Sequence, residues 1–343
     1  MRILVTGGCG FLGSHVCEYY IQKGDEVVSF DNLTKHELTR TPYNVEGTRL
    51  FNWHILKKMG AVLIEGDVRD KEQLLAASKD CDYIIHTAAQ PAMTIAIEDP
   101  ELDAASNVIG TMNVLEAARK YSIPVVNCSS IHVYGNEINQ TLIEGEKRFF
   151  KEPPTIDESA PIMQGKLTPL HASKRAAEIY VQAYIDTYGL EAASFRLTGM
   201  YGPRQFGGED HGWVANFVIR SLLKLPMKIF GTDKQVRDIL YVSDAVKSFD
   251  CFYNSRKPGL YNIGGGEANI ISLGECLNII KETAGIEQEI TYEPMRHGDL
   301  HYFVCNIEKA KNELNWGPEV SNEEGLKKLI NWVEQNISLF RGK

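Results

Sequence analysis

The 343-residue sequence predicts an α/β fold, a doubly wound parallel sheet with a smaller C-terminal α/β lobe. Three features predict it. The first half alternates short β-branched apolar runs with longer helical patterns. Those runs are continuous rather than alternating, as in strands buried on both faces. After about Phe195 the rhythm loosens, and turns richer in Gly and Pro take over: "YGPRQFGGEDHG", "KLPMKIFGTDKQ", "IGGGEAN".

Strands are expected over Arg2–Thr6, Glu26–Phe30, Ala61–Glu65, Tyr83–Thr87 and Pro124–Ser129, with helices between them. Gly24 should stop the first helix and Gly189 a later one, as glycine does where a left-handed C-cap is needed. Long helices are expected over Asn107–Tyr121 and His171–Tyr188. The second places Ala176, Ile179, Tyr180, Ala183 and Tyr184 along one stripe, which can pack on its own sheet or on a partner. Further on come a helix around Trp213–Leu223, short strands near Lys228–Phe230 and Arg237–Tyr241, and terminal helices. The main domain should span residues 1–195 and the smaller lobe 196–343, with some segments returning to the main sheet. Asn136–Gly165 is charged and long for a connection; it reads either as a flap over a ligand or as a solvated insertion.

With 43% hydrophobic residues the chain can bury a large core. A formal charge of −9 gives no general attraction for nucleic acid or an anionic membrane, so an anionic ligand needs a local site. Seven scattered cysteines without a C-x-x-C pair fit reduced, buried thiols. No apolar run approaches the ~20 residues that span a bilayer, and the chain opens directly on a strand. These features lead us to expect a cytoplasmic protein. No H-E-x-x-H spacing is present, and no catalytic metal is expected.

The strand Arg2–Thr6 runs straight into Gly7-Gly8-Cys9-Gly10-Phe11-Leu12-Gly13 and then a helix. Turns without Cβ atoms let backbone approach a pyrophosphate, and the helix N-terminus presents free N–H groups. This is the Rossmann-type dinucleotide pattern; the bland alternative is a glycine turn for packing alone. Asp31 ends the second strand, 18 residues after Gly13, placed to accept ribose hydroxyls. Its carboxylate repels a 2′-phosphate and Asn32 follows instead of Arg, so NAD is expected over NADP. Asp67 and Val68 in "GDVRD" follow the third strand; Asp67 either faces adenine or caps a helix. Ala88 and Ala89 in "HTAAQ" permit close cofactor approach.

With Gly7–Gly13, Asp31, "GDVRD", "HTAAQ", "NVIGTMNVLEAARK", "SSIHVYG" and "ASKRAAE" in order, the chain resembles the extended short-chain dehydrogenase/reductases acting on nucleotide sugars. "MYGPRQFGGEDHGWVANFV", "GTDKQVRDILYVSDAV", "YNIGGG" and "PMRHGD" extend the resemblance through the second half. "AAQPAMTIAIEDP" and "PRQFGGEDHGWVANF" look most like the CDP-tyvelose (CDP-paratose) 2-epimerase subfamily. The resemblance implies a nucleotide-sugar epimerase in which NAD transiently oxidises a sugar hydroxyl. It also implies a homodimer joined by a four-helix bundle. By resemblance, Ser130 is the hydroxyl at the reacting oxygen, Lys174 the cation that holds the nicotinamide ribose, and Asn107 a supporting helix residue.

The chain departs from the family at the decisive place. Leu170 stands four residues before Lys174, where the family carries its acid–base tyrosine, and leucine cannot hold a proton. His171 is the nearest replacement, although adjacent helical residues lie about 100° apart and it can equally fill space. His132, Tyr134, Tyr201 and Glu209-Asp210-His211 are further candidates for the base. The alternatives are dehydration, decarboxylation or net redox of a nucleotide sugar, or a non-catalytic NAD and nucleotide-sugar binding protein. For the sugar nucleotide, Arg237 and Arg296 match the family's pyrophosphate ligands, with Arg204 a third candidate. Gln205, Trp213 and Asn216 are candidates for selecting base or sugar. Met93 and Thr94 are candidates near the sugar ring, with Met93 equally readable as core.

Overall fold

The computed structural model describes residues 1–34, 36–38 and 40–341. Its main sheet has seven parallel strands: β1 (Arg2–Thr6), β2 (Glu26–Asp31), β3 (Val62–Glu65), β4 (Tyr83–His86), β5 (Val125–Ser130), β6 (Ala192–Leu197) and β7 (Gly259–Ile263). Their order is β7-β6-β5-β4-β1-β2-β3, so the chain starts inside the sheet, winds outward through β2 and β3, and crosses back to β4. The switch of direction falls between β1 and β4, where such sheets open a crevice at the carboxyl ends of their strands.

The continuous apolar runs follow from this layering. Successive side chains of a strand point to opposite faces, so Ile3, Val5, Val27 and Ile85 pack into one core, while Leu4, Val28, Ile84 and Val125 pack into the other. Helices cover both faces. Those that matter most here are α1 (Phe11–Gln22), α2 (Thr48–Met59), α3 (Gly110–Tyr121), α4 (Pro169–Tyr188) and α5 (Trp213–Leu223). Gly24 and Gly189 both follow helices with positive φ, as expected. The helix expected from Asn107 in fact begins at Pro100, and widens into a π-turn over Ala105–Ile109 before α3.

Two strands escape the sequence pattern. β6 carries Arg196 one residue before its end, and that side chain is only 1% exposed. The charge is tolerated because Glu178 on α4 takes both Nε and Nη2 of Arg196, each at 2.9 Å. β7 carries the buried Asn262, which donates to the Ile156 carbonyl and accepts from the Tyr134 hydroxyl. It also comes from beyond residue 196, so the second part of the chain completes the first part's sheet.

That second part adds small sheets of its own. Met227–Phe230 pairs with Ile290–Glu293, and Val236–Asp238 lies between Ile270–Ser272 and Tyr302–Phe303. The strand expected over Arg237–Tyr241 is therefore two strands, since Leu240–Tyr241 pairs elsewhere, with Met200–Tyr201.

The segment 136–165 is not a flap over the cleft but an insertion that faces solvent along most of its length, with Ile156 alone buried. It docks on the second lobe through Arg148–Glu275, Lys234–Glu144, and backbone bonds from Ile156 to Val304 and Asn306 to Ile156. None of its residues lines the ligand cleft. Among the described residues no helix is long and apolar enough to cross a membrane.

Candidate active site

The carboxyl ends of the strands open into a cleft with two adjoining parts. One is lined by Gly7, Gly10, Asp31, Asn32, Asp67 and Val68; the other reaches Lys174, Ser130, Arg237 and Arg296, and holds about 410 Å³. Gly7, Gly10, Arg49, Thr87, Ala89 and Pro91 border both, so the parts are continuous.

Glycine is required at this turn. Gly7 has φ +69°, and a Cβ there would sit 2.7 Å from the Ala88 nitrogen; one on Gly13 would sit 2.1 Å from the Gly7 carbonyl oxygen. Gly13 thus lets α1 close on the turn, while Gly10, Phe11 and Leu12 line the cleft beside it. Asp31 is fixed by the backbone N–H groups of Cys9 (2.9 Å) and Leu33 (2.7 Å), which leave it at the cleft wall. Asp67 does not cap the following helix; Asp70 does. Asp67 accepts from Arg69 and, at 2.9 Å, from Asn32 Nδ2, and these bonds, the Arg69 one foremost, hold its pKa down at about 2. Ala88 and Ala89 line the same part.

Lys174 is buried and lines the cleft, donating from Nζ to the Cys128 carbonyl at 3.1 Å. Burial lowers its pKa, against the nearby Cys128, Asp103 and Glu178. Ser130 ends β5, and its Oγ accepts from His132 N at 3.2 Å. Asn107, on the π-turn, does not line the cleft. It accepts from Gln90 N and donates to Asp103, to the Gln90 carbonyl and to Ser173 Oγ at 3.1 Å, bracing the residue before Lys174. Sequence reading missed the buried carboxylate Asp103, which has no motif to mark it.

Leu170 lines the cleft and packs with Met93 and Ala96 in a small apolar cluster. Met93 is therefore core, as its alternative reading allowed, and does not line the cleft. His171 faces another way. Its Nδ1 accepts from Thr168 N at 3.1 Å and lies 2.7 Å from Thr168 Oγ1, capping α4, and its ring packs on His132. It is fully buried, does not line the cleft, and burial lowers its pKa to about 4. This geometry gives His171 a capping task and does not support it as the base. Tyr134 bonds to Asn262 and the Asp157 carbonyl, and Tyr201 is buried against Tyr241; neither lines the cleft. His132, Glu209, Asp210 and His211 do.

At the far end Arg237 is half-buried and donates to the Val236 and Leu300 carbonyls; desolvation lowers its pKa and raises that of Asp299 beside it. Arg296 lies over the Phe230 ring, 3.2 Å from Asp210, which also accepts from Thr94 Oγ1 at 2.6 Å. Thr94 thus anchors this loop and is not itself in the cleft wall. Arg204 lines the cleft, but its guanidinium is held on α1 by His15 and Glu18. Gln205, Trp213 and Asn216 line the cleft; Asn216 Oδ1 is taken by Arg220. His297 and His301 share an irregular segment, and among the described residues no three His, Cys, Asp or Glu groups could hold a metal ion.

A sequence model of the NAD dependent epimerase/dehydratase family matches residues 3–264. The chain belongs to that family. It is 34% identical to CDP-paratose 2-epimerase of Salmonella typhi, over 97% of this chain and 99% of that one. It is 30% identical to UDP-glucuronic acid decarboxylase 1 of Arabidopsis thaliana, over 98% of this chain and 71% of that one. Among solved structures, UDP-glucose 4-epimerase of Thermus thermophilus in complex with NAD aligns with a TM-score of 0.79 and 33% identity, covering 97% and 99% of the two chains. UDP-glucose 4-epimerase of Thermotoga maritima with UDP-glucose gives 0.81 and 29%, covering 98% and 100%. Members of the family depend on NAD, and the architecture matches these epimerase structures.

Proposed function

We propose that this chain is an NAD-retaining nucleotide-sugar epimerase, with inversion at carbon 2 of a CDP-sugar as the specific assignment. The observation that carries the reading is the one continuous cleft. It runs from the glycine turn and Asp31, past Lys174 and Ser130, to the arginines at 237 and 296. The similarity to CDP-paratose 2-epimerase over nearly the whole of both chains supports the CDP-sugar assignment.

The residues fit a dinucleotide. Gly10 leaves open the space a Cβ would enter beside the turn, and Asp31 stands ready for ribose hydroxyls. Gly7, Gly10, Gly13, Asp31, Asn32, Asp67, Val68, Ala88, Ala89 and Lys174 would hold it. Bound NAD supplies reversible hydride acceptance from a sugar carbon. Ser130 would orient the reacting oxygen, and Lys174 would hold the nicotinamide ribose and favour the deprotonated hydroxyl. Arg237 and Arg296 would bind the substrate's phosphates, with Asp210 released from Arg296. The hydroxyl proton passes to a group other than tyrosine, because Leu170, Met93 and Ala96 make that wall apolar.

A homodimer is part of the reading. Ile179 and Tyr180 on α4 are 53% and 38% exposed, and Ile109, the last residue of the π-turn before α3, is 47% exposed, apolar surface that the chain's own sheet leaves uncovered.

The same apolar wall favours a second reading, a protein that binds NAD and a nucleotide sugar without turnover. Proton NMR in deuterated buffer, with NAD and a panel of CDP-, UDP-, GDP- and dTDP-sugars, separates the two. A new epimer supports the first reading, and its couplings name the inverted carbon. Binding without any change of substrate overturns it in favour of the second.

A further inference from the structure

Arg49 lies outside every motif, yet it borders both parts of the cleft. It sits in the first turn of α2, with Nε donating to the Thr34 carbonyl at 3.1 Å. A Cβ built on Gly10 would lie 3.7 Å from Arg49 Nη1, so the guanidinium stands over the glycine turn. That position is fixed by a second contact. Asn52, one helical turn on and therefore on the same face, is 1% exposed and donates Nδ2 to the carbonyls of Cys9 (2.9 Å) and Gly10 (3.4 Å). Asn52 thus staples α2 to the turn, and the staple brings Arg49 to its mouth.

We infer that Arg49 clamps the pyrophosphate of the bound dinucleotide from the side opposite the α1 N-terminus. The inference rests on the NAD reading above. A glycine turn and a helix end give only N–H donors and a partial charge. A diphosphate carries two negative charges, in a chain whose own net charge is −9. A guanidinium at the mouth of the turn adds a full charge that those donors lack, in a shape suited to phosphate oxygens.

The test is isothermal calorimetry of wild type, Arg49→Gln and Arg49→Lys with NAD, ADP, adenosine and CDP. Arg49→Gln should weaken NAD and ADP about 10- to 100-fold, the range of one charge-assisted hydrogen-bonded contact, and leave adenosine unchanged. Arg49→Lys, which keeps the charge and loses the fork, should fall between. CDP, reporting on the substrate end, should bind as in wild type. Unchanged NAD affinity in Arg49→Gln overturns the inference. So does an equal loss for adenosine, which would make Arg49 merely structural, or a loss confined to CDP, which would move it to the substrate. Wild type that fails to bind NAD refutes the cofactor reading itself, and this inference with it.

Discussion

Replacing Glu178 by alanine should be among the most damaging single changes outside the cleft, for a reason that can be worked through. Glu178 and Arg196 are 3% and 1% exposed. Glu178 accepts from Arg196 twice, from Ser129 Oγ at 2.7 Å and from Arg175 at 3.0 Å. Arg196 Nη1 has no partner even in the intact protein, so the alanine variant leaves a buried guanidinium with its side-chain acceptor gone. Removing one member of such a pair costs about 3–5 kcal/mol, a large share of the roughly 5–15 kcal/mol that keeps a domain folded. The control is Glu178→Leu with Arg196→Met, which removes both charges and keeps a long side chain against the Tyr134 ring, now 4.7 Å from the guanidinium. It should recover to within about 2 kcal/mol of wild type, the residue being the unpartnered Ser129 hydroxyl. Urea unfolding with a common m-value measures all three. If the double variant is no more stable than Glu178→Ala, an uncompensated charge is not the cause and the reasoning fails.

The remaining predictions concern the site and its surroundings. Gly13→Ala should lower NAD affinity at least tenfold by forcing α1 off the Gly7 carbonyl, about 1.4 kcal/mol or more; unchanged binding in calorimetry would show that the turn tolerates the shift. Leu170→Tyr restores a hydroxyl one turn from Lys174, and should raise turnover of an accepted sugar by about 10²-fold or more if proton transfer limits the rate; no gain in an NMR time course would show that the native base already suffices. His171→Ala should cost about 1 kcal/mol through the lost cap and leave the pH–rate profile in place; a missing limb in that profile would restore His171 as base. Burial holds His15, His86 and His132 down at about 3 and His171 at about 4, below the unfolded value near 6.5. The unfolded chain therefore takes up protons that the folded one refuses, so stability is full above about pH 6.5 and falls as pH drops toward 4. Asp238, pushed up to about 6 by burial, opposes this, as do Asp299, Asp103 and Glu158, which burial also raises. Urea midpoints at pH 7, 6 and 5 should decline, and a flat series would refute the assignment.

How far the sequence could be read depended on how local each signal was. β1 to β5 were legible because continuous apolar runs report burial on both faces. β6 and β7 were not, because Arg196 and Asn262 look like surface residues until Glu178, Tyr134 and Ile156 arrive from elsewhere to satisfy them. The glycine turn with Asp31 was legible as a motif with fixed spacing. His171 reads two ways in the sequence, as a base or as a filler, because nothing local shows that Leu170 lines the cleft while the His171 ring turns back to Thr168. Segment 136–165 has a composition that suits a solvated loop, and only its long-range partners show that it is docked. Arg49 and Asp103 carry no local pattern at all; their positions depend on chain packing.

The origin of β7 limits how this protein can be taken apart. A fragment ending near Leu197 would present the β6 edge without its neighbour, a row of open backbone groups ready to pair with another copy. Such a fragment is expected to self-associate. The C-terminal portion, for its part, would carry Gly259–Ile263 with nothing to join. Grafting a new sugar preference from a relative would therefore have to carry this strand along with the recognition loops, or leave it in place and replace only the segments on either side.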